Sequence, residues 1–234
     1  MIRGLEICTA VLVFFAGLFA LLYPGLNGAR LESSATQAAE DFVDAYFVPL
    51  EEVPTEMVRP YADLYAAMEN YNLQIYEDKQ NGLASYEAAG VELEAYGFED
   101  GVAAVLSVPS IELSMPVYLG ASYDNMAAGA AVMGSTSLPI GGENTNCVIA
   151  GHRGWNGAKY FLDIDKIQVG DTVQLTNLWE TLSYTVVETK VIAPNDVEQI
   201  KIQDGRELLT LMSCHPYASG SKFRYLVICE RVKT

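Results

Sequence analysis

The sequence predicts a mostly β protein, a small closed or nearly closed barrel with short helices, preceded by a helical extension and one N-terminal apolar helix. Three observations carry this expectation. Beyond Gly101 the chain consists of short runs rich in Val, Ile, Leu and Thr, separated by Gly, Pro, Asn and Asp, the pattern of a largely antiparallel sheet or barrel. Residues 30–100 are instead rich in Ala, Glu and Tyr. Ile7 to Tyr23 is a run without a single charge.

That first run is 17 residues long, at the lower end of what spans a bilayer as a helix. Arg3 and the amino terminus precede it, the breaker cluster Pro24-Gly25-Leu26-Asn27-Gly28 follows it, and the chain beyond is strongly acidic. This asymmetry sets the N-terminus inside and the remainder outside, as a single-pass membrane protein. A cleaved signal peptide is the alternative, although no small-x-small cleavage site stands near Ala29. The expected division is an anchor at 1–29, a helical extension and candidate lid at 30–100, and a catalytic barrel at 101–234.

Within the extension, Tyr61, Leu64, Tyr65 and Met68 recur at helical spacing. Pro49, Pro54 and Pro60 divide it into separate helices, Asn81-Gly82 marks a turn, and a weakly helical segment is expected from Tyr86 to Ala95. In the barrel region, strands are expected at Val102–Val108, Ile111–Leu113, Ala131–Met133, Asn146–Ala150, Thr172–Thr176, Leu182–Ile192, Glu207–Ser213 and Phe223–Val232. Short helices fit Ser122–Ala130 and Lys159–Ile164.

The net charge of -16, from 30 acidic against 14 basic residues, argues against a nucleic-acid partner, which requires a cationic face. Of the four cysteines, Cys8 lies in the apolar run and the rest are too widely spaced for a small disulfide framework. Cys147 and Cys229 sit inside apolar strand-like runs, as packed thiols do. Cys147, His152, Cys214 and His215 offer no close Cys-x-x-Cys pair, so no metal site is expected, and no cofactor.

Three residues combine into a possible chemistry. His152 ends the strand-like run Asn146–Ala150 in a glycine-rich turn, Cys214 ends the run Leu208–Ser213 ahead of Pro216, and Arg224 opens the last run. Taken singly, each has a plain reading as a turn histidine, a filler thiol or a surface charge. Together they supply what acyl transfer from a peptide needs: a sulfur nucleophile, a proton donor and acceptor, and a cation for the developing oxyanion. His215 follows Cys214 directly, and neighbours on a strand point to opposite faces, so the two are not expected to share one site.

The stretches Leu138-Pro139-Ile140-Gly141-Gly142-Glu143-Asn144-Thr145, Ala150-Gly151-His152-Arg153-Gly154, Phe161–Ile167 into Val169-Gly170-Asp171, and Thr210-Leu211-Met212-Ser213-Cys214 resemble successive motifs of the sortase family, and Arg224 follows the cysteine at the usual short distance. The likeness covers residues 101–234 and implies an eight-stranded sortase-type barrel. It implies a cysteine transpeptidase that takes exported proteins bearing Leu-Pro-x-Thr-Gly-like sorting signals, with Cys214 as nucleophile, His152 as proton-transfer partner and Arg224 as oxyanion stabiliser. The Gly-Gly-Glu-Asn-Thr stretch, the Gly-His-Arg-Gly turn and the long helical N-terminal region resemble the class C branch, whose acceptor is a lysine of a pilin subunit. Ser213 and His215 stand where that branch commonly has threonines, and no Asp-Pro-aromatic lid motif occurs, which keeps a class B-like enzyme joining proteins to cell-wall peptide as the second reading. The remoter alternatives are an L,D-transpeptidase, disfavoured by about 60 residues between histidine and cysteine, and a non-catalytic anchored binding module.

Overall fold

The computed structural model describes residues 2–47, 59–81, 86–87, 89–218 and 220–232, with side chains from residue 10 onward. Pro49, Pro54 and Gly82, on which sequence expectations fell, lie outside the described residues. The chain opens with α1 (Ile2–Tyr46) and α2 (Ala62–Glu77). There follow β1 (Val102–Val108), β2 (Leu113–Leu119), α3 (Tyr123–Ala128), β3 (Ala130–Val132), β4 (Thr145–Ala150), β5 (Arg153–Trp155), β6 (Ala158–Tyr160), β7 (Thr172–Thr176), β8 (Thr181–Ile192), β9 (Glu207–His215) and β10 (Phe223–Arg231).

Eight strands close a barrel in the order β1-β2-β3-β4-β9-β10-β8-β7, with β7 returning to β1. Two of its junctions, β2–β3 and β4–β9, are parallel. The others are antiparallel, so the expected closed, mostly β barrel is what forms. The β4–β9 junction matters most, because a parallel neighbour requires a long crossover. Here that crossover carries the β5–β6 hairpin and the β7–β8 pair before the chain returns beside β4.

Strand alternation sorts side chains between two apolar clusters. Cys147, Ile149, Leu209, Leu211, Val227 and Cys229 belong to the main core, together with Val105, Leu106, Val173 and Leu175. Val148, Ala150, Leu208, Leu226 and Ile228 point the other way, into a smaller cluster completed by Met133, Ile192 and Ile200. Buried Asn146 pins this wall: its Nδ2 donates to Ile200 O (3.0 Å) and Thr210 Oγ1 donates to its Oδ1 (2.9 Å).

Several expectations are corrected. Helix α1 runs through Pro24 rather than breaking there, because tertiary contact with the β5–β6 turn holds the segment that local chemistry would break. Ile111–Leu113 is not a strand; Pro109 opens a tight turn, Glu112 takes a left-handed conformation (φ 52°), and β2 starts at Leu113. Strand β2 accommodates Pro116 just ahead of the point where pairing with β3 begins at Val117, where its missing N–H costs no ladder bond. The helix expected at Lys159–Ile164 is strand β6 followed by a turn at Ile164–Lys166. Asn156 and Gly157, both at positive φ (47° and 94°), make the hairpin turn that Asn-Gly favours. Among the described residues of the segment expected from Tyr86 to Ala95, the helical part is a 3-10 turn that starts at Leu93 and ends at Tyr96.

Other elements follow local chemistry. Helix α2 buries Leu64, Met68 and Asn72 on one face, and Ser122 Oγ caps α3 by accepting from Asn125 N (3.2 Å). Asn72 Oδ1 accepts from Leu138 N (2.7 Å), which docks α2 onto the β3–β4 connection. The same connection is held at Ser135, whose N–H donates to Tyr71 Oη (3.1 Å).

Candidate active site

The parallel register of β4 and β9 sets Ala150 beside Met212, and Gly151 N donates to Met212 O (3.1 Å). One residue further, Ser213 Oγ donates to Gly151 O (2.7 Å), so the two chains remain side by side beyond the end of β4. The same register carried one residue past Gly151 sets His152 opposite Cys214 in sequence order. Across the other edge of β9, Cys214 pairs with Arg224 of β10. His152, Cys214 and Arg224 thus form one row across three adjacent chain segments.

Alternation gives the row a common face. Val148, Ala150, Leu208, Leu226 and Ile228 lie in the smaller cluster, with Met212 packed against it, whereas their odd-numbered neighbours fill the barrel interior. Positions 152, 214 and 224 carry that parity on to the strand ends. Positions 214 and 224, on β9 and β10, therefore share the face of the smaller cluster, opposite the barrel interior. This separates Cys214, half-buried, from Cys147 and Cys229, whose thiols burial pushes far above the ordinary range.

Arg224 borders an apolar groove of about 170 Å³ lined by Tyr86, Ala150, Ile192, Ile200 and Met212. Its Nη1 donates to Ser221 O (3.0 Å) and Phe223 O (3.1 Å), which tether the guanidinium to the loop before β10. Tyr86 reaches the groove because its carbonyl accepts from Ala121 N (2.8 Å) and Gly134 N (3.0 Å). A larger cavity of about 500 Å³ lies between α1 and the barrel and holds none of the three residues. Of the three residues, Arg224 alone lines the smaller groove.

His152 is half-buried, and its ring lies flat on Trp155, with centroids 4.2 Å apart and planes 9° from parallel. Burial lowers its pKa below the usual 6.5, favouring the neutral imidazole. Nε2 is shielded and has no hydrogen-bond partner among the described residues. The backbone at His152 is held by its own carbonyl, which accepts from Gly154 N (2.9 Å) and Phe161 N (3.0 Å). Gly151 is required just before it: a Cβ there would lie 2.7 Å from the Phe161 ring.

On the opposite parity, Arg153 is buried and joins the two halves of the site. Its Nη1 donates to His215 Nδ1 (2.7 Å), its Nε donates to Leu162 O (3.3 Å), and Nη2 forms an ion pair with Asp165 Oδ2. A guanidinium has only donors, so Nδ1 of His215 must accept. His215 also leans on Tyr225, with ring centroids 5.6 Å apart. As strand alternation required, it points away from the face of Cys214. Sequence reasoning missed Arg153 and Trp155. The Asn156-Gly157 dipeptide was the available signal, since a hairpin there folds Trp155 and the residues before it back beside His152.

A closed eight-stranded barrel with Cys214 paired to Arg224 across β9 and β10, and with β4 leading alongside β9 toward His152, is the frame in which known proteins are compared. The model of the sortase domain matches residues 106–232, and the chain belongs to the sortase family, whose members are cysteine transpeptidases. Sortase A of Listeria monocytogenes is 33% identical over 137 residues, which is 58% of this chain and 59% of that protein. The chain spans between 52% and 63% of the length of the curated relatives it matches. Among solved structures, Clostridium perfringens sortase C with the C-terminal cell wall sorting motif superimposes with a TM-score of 0.68 at 32% identity, covering 86% of this chain and 100% of that one. Streptococcus agalactiae sortase C1 in complex with MTSET gives 0.67 at 29% identity, covering 79% and 97%.

Proposed function

We propose that this protein is a membrane-anchored transpeptidase that cleaves a Leu-Pro-x-Thr-Gly-like sorting signal between Thr and Gly and passes the acyl group to an amine. The observation that carries this reading is the row of His152, Cys214 and Arg224, together with the apolar groove beside it.

In the first half-reaction the Cys214 sulfur attacks the Thr carbonyl, with the thiol proton passing to the imidazole of His152. The C–N bond to Gly then breaks as His152 protonates the departing amine, leaving a thioester on Cys214. In the second, an acceptor amine attacks the thioester carbonyl, His152 takes the amine proton, and the sulfur departs as thiolate and recovers that proton. The Arg224 guanidinium faces the oxyanion that develops in both steps. The low pKa of His152 suits its role as proton acceptor. The apolar groove, with Tyr86, Ile192 and Met212, suits the Leu-Pro end of the signal.

The acceptor in this proposal is a pilin lysine. Similar solved structures are of sortases C, one of them from GBS Pilus Island 1. A class B-like acceptor, a cell-wall peptide amine, is the second reading, supported by Ser213 and His215 beside the nucleophile. Helix α1 is the single described helix long and apolar enough to cross a membrane, and the reading sets its N-terminus inside and the barrel outside.

The test is to incubate the full chain in detergent with a Leu-Pro-x-Thr-Gly peptide and then with a lysine-bearing or a cell-wall peptide. Mass spectrometry should find a thioester on Cys214 and, after the amine, a transferred product. Cys214→Ala should give neither. A binding module would form no covalent species, and an L,D-transpeptidase would ignore this peptide and act on muropeptides.

A further inference from the structure

Helix α1 leaves its apolar stretch at Tyr23 and meets the barrel at once. A Cβ built on Gly157 would sit 2.0 Å from Pro24 O, and one on Gly28 would sit 2.2 Å from the Gly157 carbonyl, so only glycines allow this approach of helix to hairpin turn. Asn27 Nδ2 donates to Asn156 O (3.0 Å), and Glu32 Oε1 accepts from Lys159 N (2.7 Å). The helix is uninterrupted across this region. The height of the β5–β6 turn above the apolar stretch is therefore set by the helix itself.

Residues 24 to 28 lie about 1.5 to 7.5 Å past Tyr23 along the axis, at the helical rise of about 1.5 Å per residue. The headgroup layer on each side of a bilayer is about 5–8 Å deep, so the turn falls within it. The side chains there match that layer. Tyr23, Leu26 and Tyr123 are 52%, 65% and 70% exposed. Tyr123 stands edge-on to Trp155 with centroids 5.7 Å apart. Tyr23, Tyr123 and Trp155 line one cleft between α1, α3 and the hairpin, and tyrosine and tryptophan are the residues that favour the membrane–water boundary.

We infer that the β5–β6 turn and the start of α3 sit in the lipid headgroup layer, with Tyr23, Tyr123 and Trp155 as the contacting aromatics. This rests on the reading of α1 as a membrane-spanning helix. Because Trp155 also stacks on His152, the contact holds the candidate active site at the bilayer surface. An acyl donor must then present its scissile bond within the headgroup layer.

Trp155 and buried Trp179 are the two tryptophans of the chain, which makes a fluorescence test selective. The full chain is reconstituted into phosphatidylcholine–phosphatidylglycerol vesicles carrying a nitroxide either on the headgroup or deep in the acyl chain. The emission lost in Trp155→Phe isolates Trp155 without disturbing Trp179. That component should fall by about half or more with the headgroup nitroxide, as expected at boundary depth, and little with the deep one. Gly28→Leu, which keeps the apolar stretch but pushes the hairpin off the helix, should relieve the quenching while the protein still floats with the vesicles. Protein that floats after an alkaline wash yet shows unquenched Trp155 emission overturns the headgroup contact while leaving the anchor intact. Protein that fails to float overturns the anchor and the contact with it.

Discussion

Arg153 Nη1 lies 2.7 Å from His215 Nδ1, a bond that joins the residue after His152 to the residue after Cys214 across 62 positions of sequence. With Asp165 and Leu162 O engaging the same guanidinium, it fixes the segment bearing the imidazole against the strand bearing the sulfur. A bond to a buried charged group contributes about 1.5–3 kcal/mol. If part of that alignment is used in the transition state, His215→Ala and Arg153→Gln should each lower turnover by about tenfold, or ~1.4 kcal/mol. His215→Asn, whose amide can place an acceptor where Nδ1 stood, should stay much nearer to the parent. Comparing kcat with KM separates alignment from substrate binding, since binding alone would move only KM.

Gly151→Ala tests the packing beneath the imidazole. The added Cβ meets the Phe161 ring at 2.7 Å, and overpacking of this kind costs about 1–3 kcal/mol. The variant should melt earlier and lose activity. Adding Phe161→Leu should recover much of the melting temperature, a rescue that a backbone effect unrelated to Phe161 would not give.

Burial lowers the His152 pKa below 6.5, which fixes the sign of a pH effect. Between the folded and unfolded values the unfolded chain binds more protons, so stability is fully present above about 6.5 and falls as pH drops through that window. Thermal unfolding at pH 7 and pH 5 should show a smaller acid-induced drop in His152→Gln than in the parent. Trp155→Ala uncovers the ring, so the acid limb of the activity profile should move upward toward 6.5. An unchanged limb would show that Trp155 does not shield His152.

Thiol reactivity should be selective in the barrel. Cys147 and Cys229 are buried and their thiols are raised by desolvation, so iodoacetamide should label Cys214 within native protein and leave those two unmodified. Peptide mapping reads the result directly, and denaturation should expose all three.

Much of the barrel was legible because its signal is local. Val102–Val108 and Thr172–Thr176 fall where periodicity and β-branched composition put them, and the turn residues before and after β9 and β10 mark their ends to within two residues. The segments that deviated were decided elsewhere. Lys159 and Tyr160 belong to a strand because Arg153 pairs with Tyr160 and Trp155 with Ala158, pairings that override a weak local preference. Pro24 breaks nothing because α1 is held by the hairpin turn at Gly157.

By itself the sequence determined the chemical inventory, one thiol at a strand end apart from those inside apolar runs, one imidazole in a glycine turn and one arginine at a strand end, and it predicted through alternation that Cys214 and His215 face apart. Only the tertiary structure decided that the residue next to each of His152 and Cys214 would be bonded to the other, that Trp155 would cover the imidazole, and that the apolar helix would dock on the hairpin beside it. The reason is physical. Residue type and spacing act over a few positions, whereas the β4–β9 junction and the approach of Gly28 to Gly157 join segments more than fifty residues apart, and their geometry exists only once the barrel has closed.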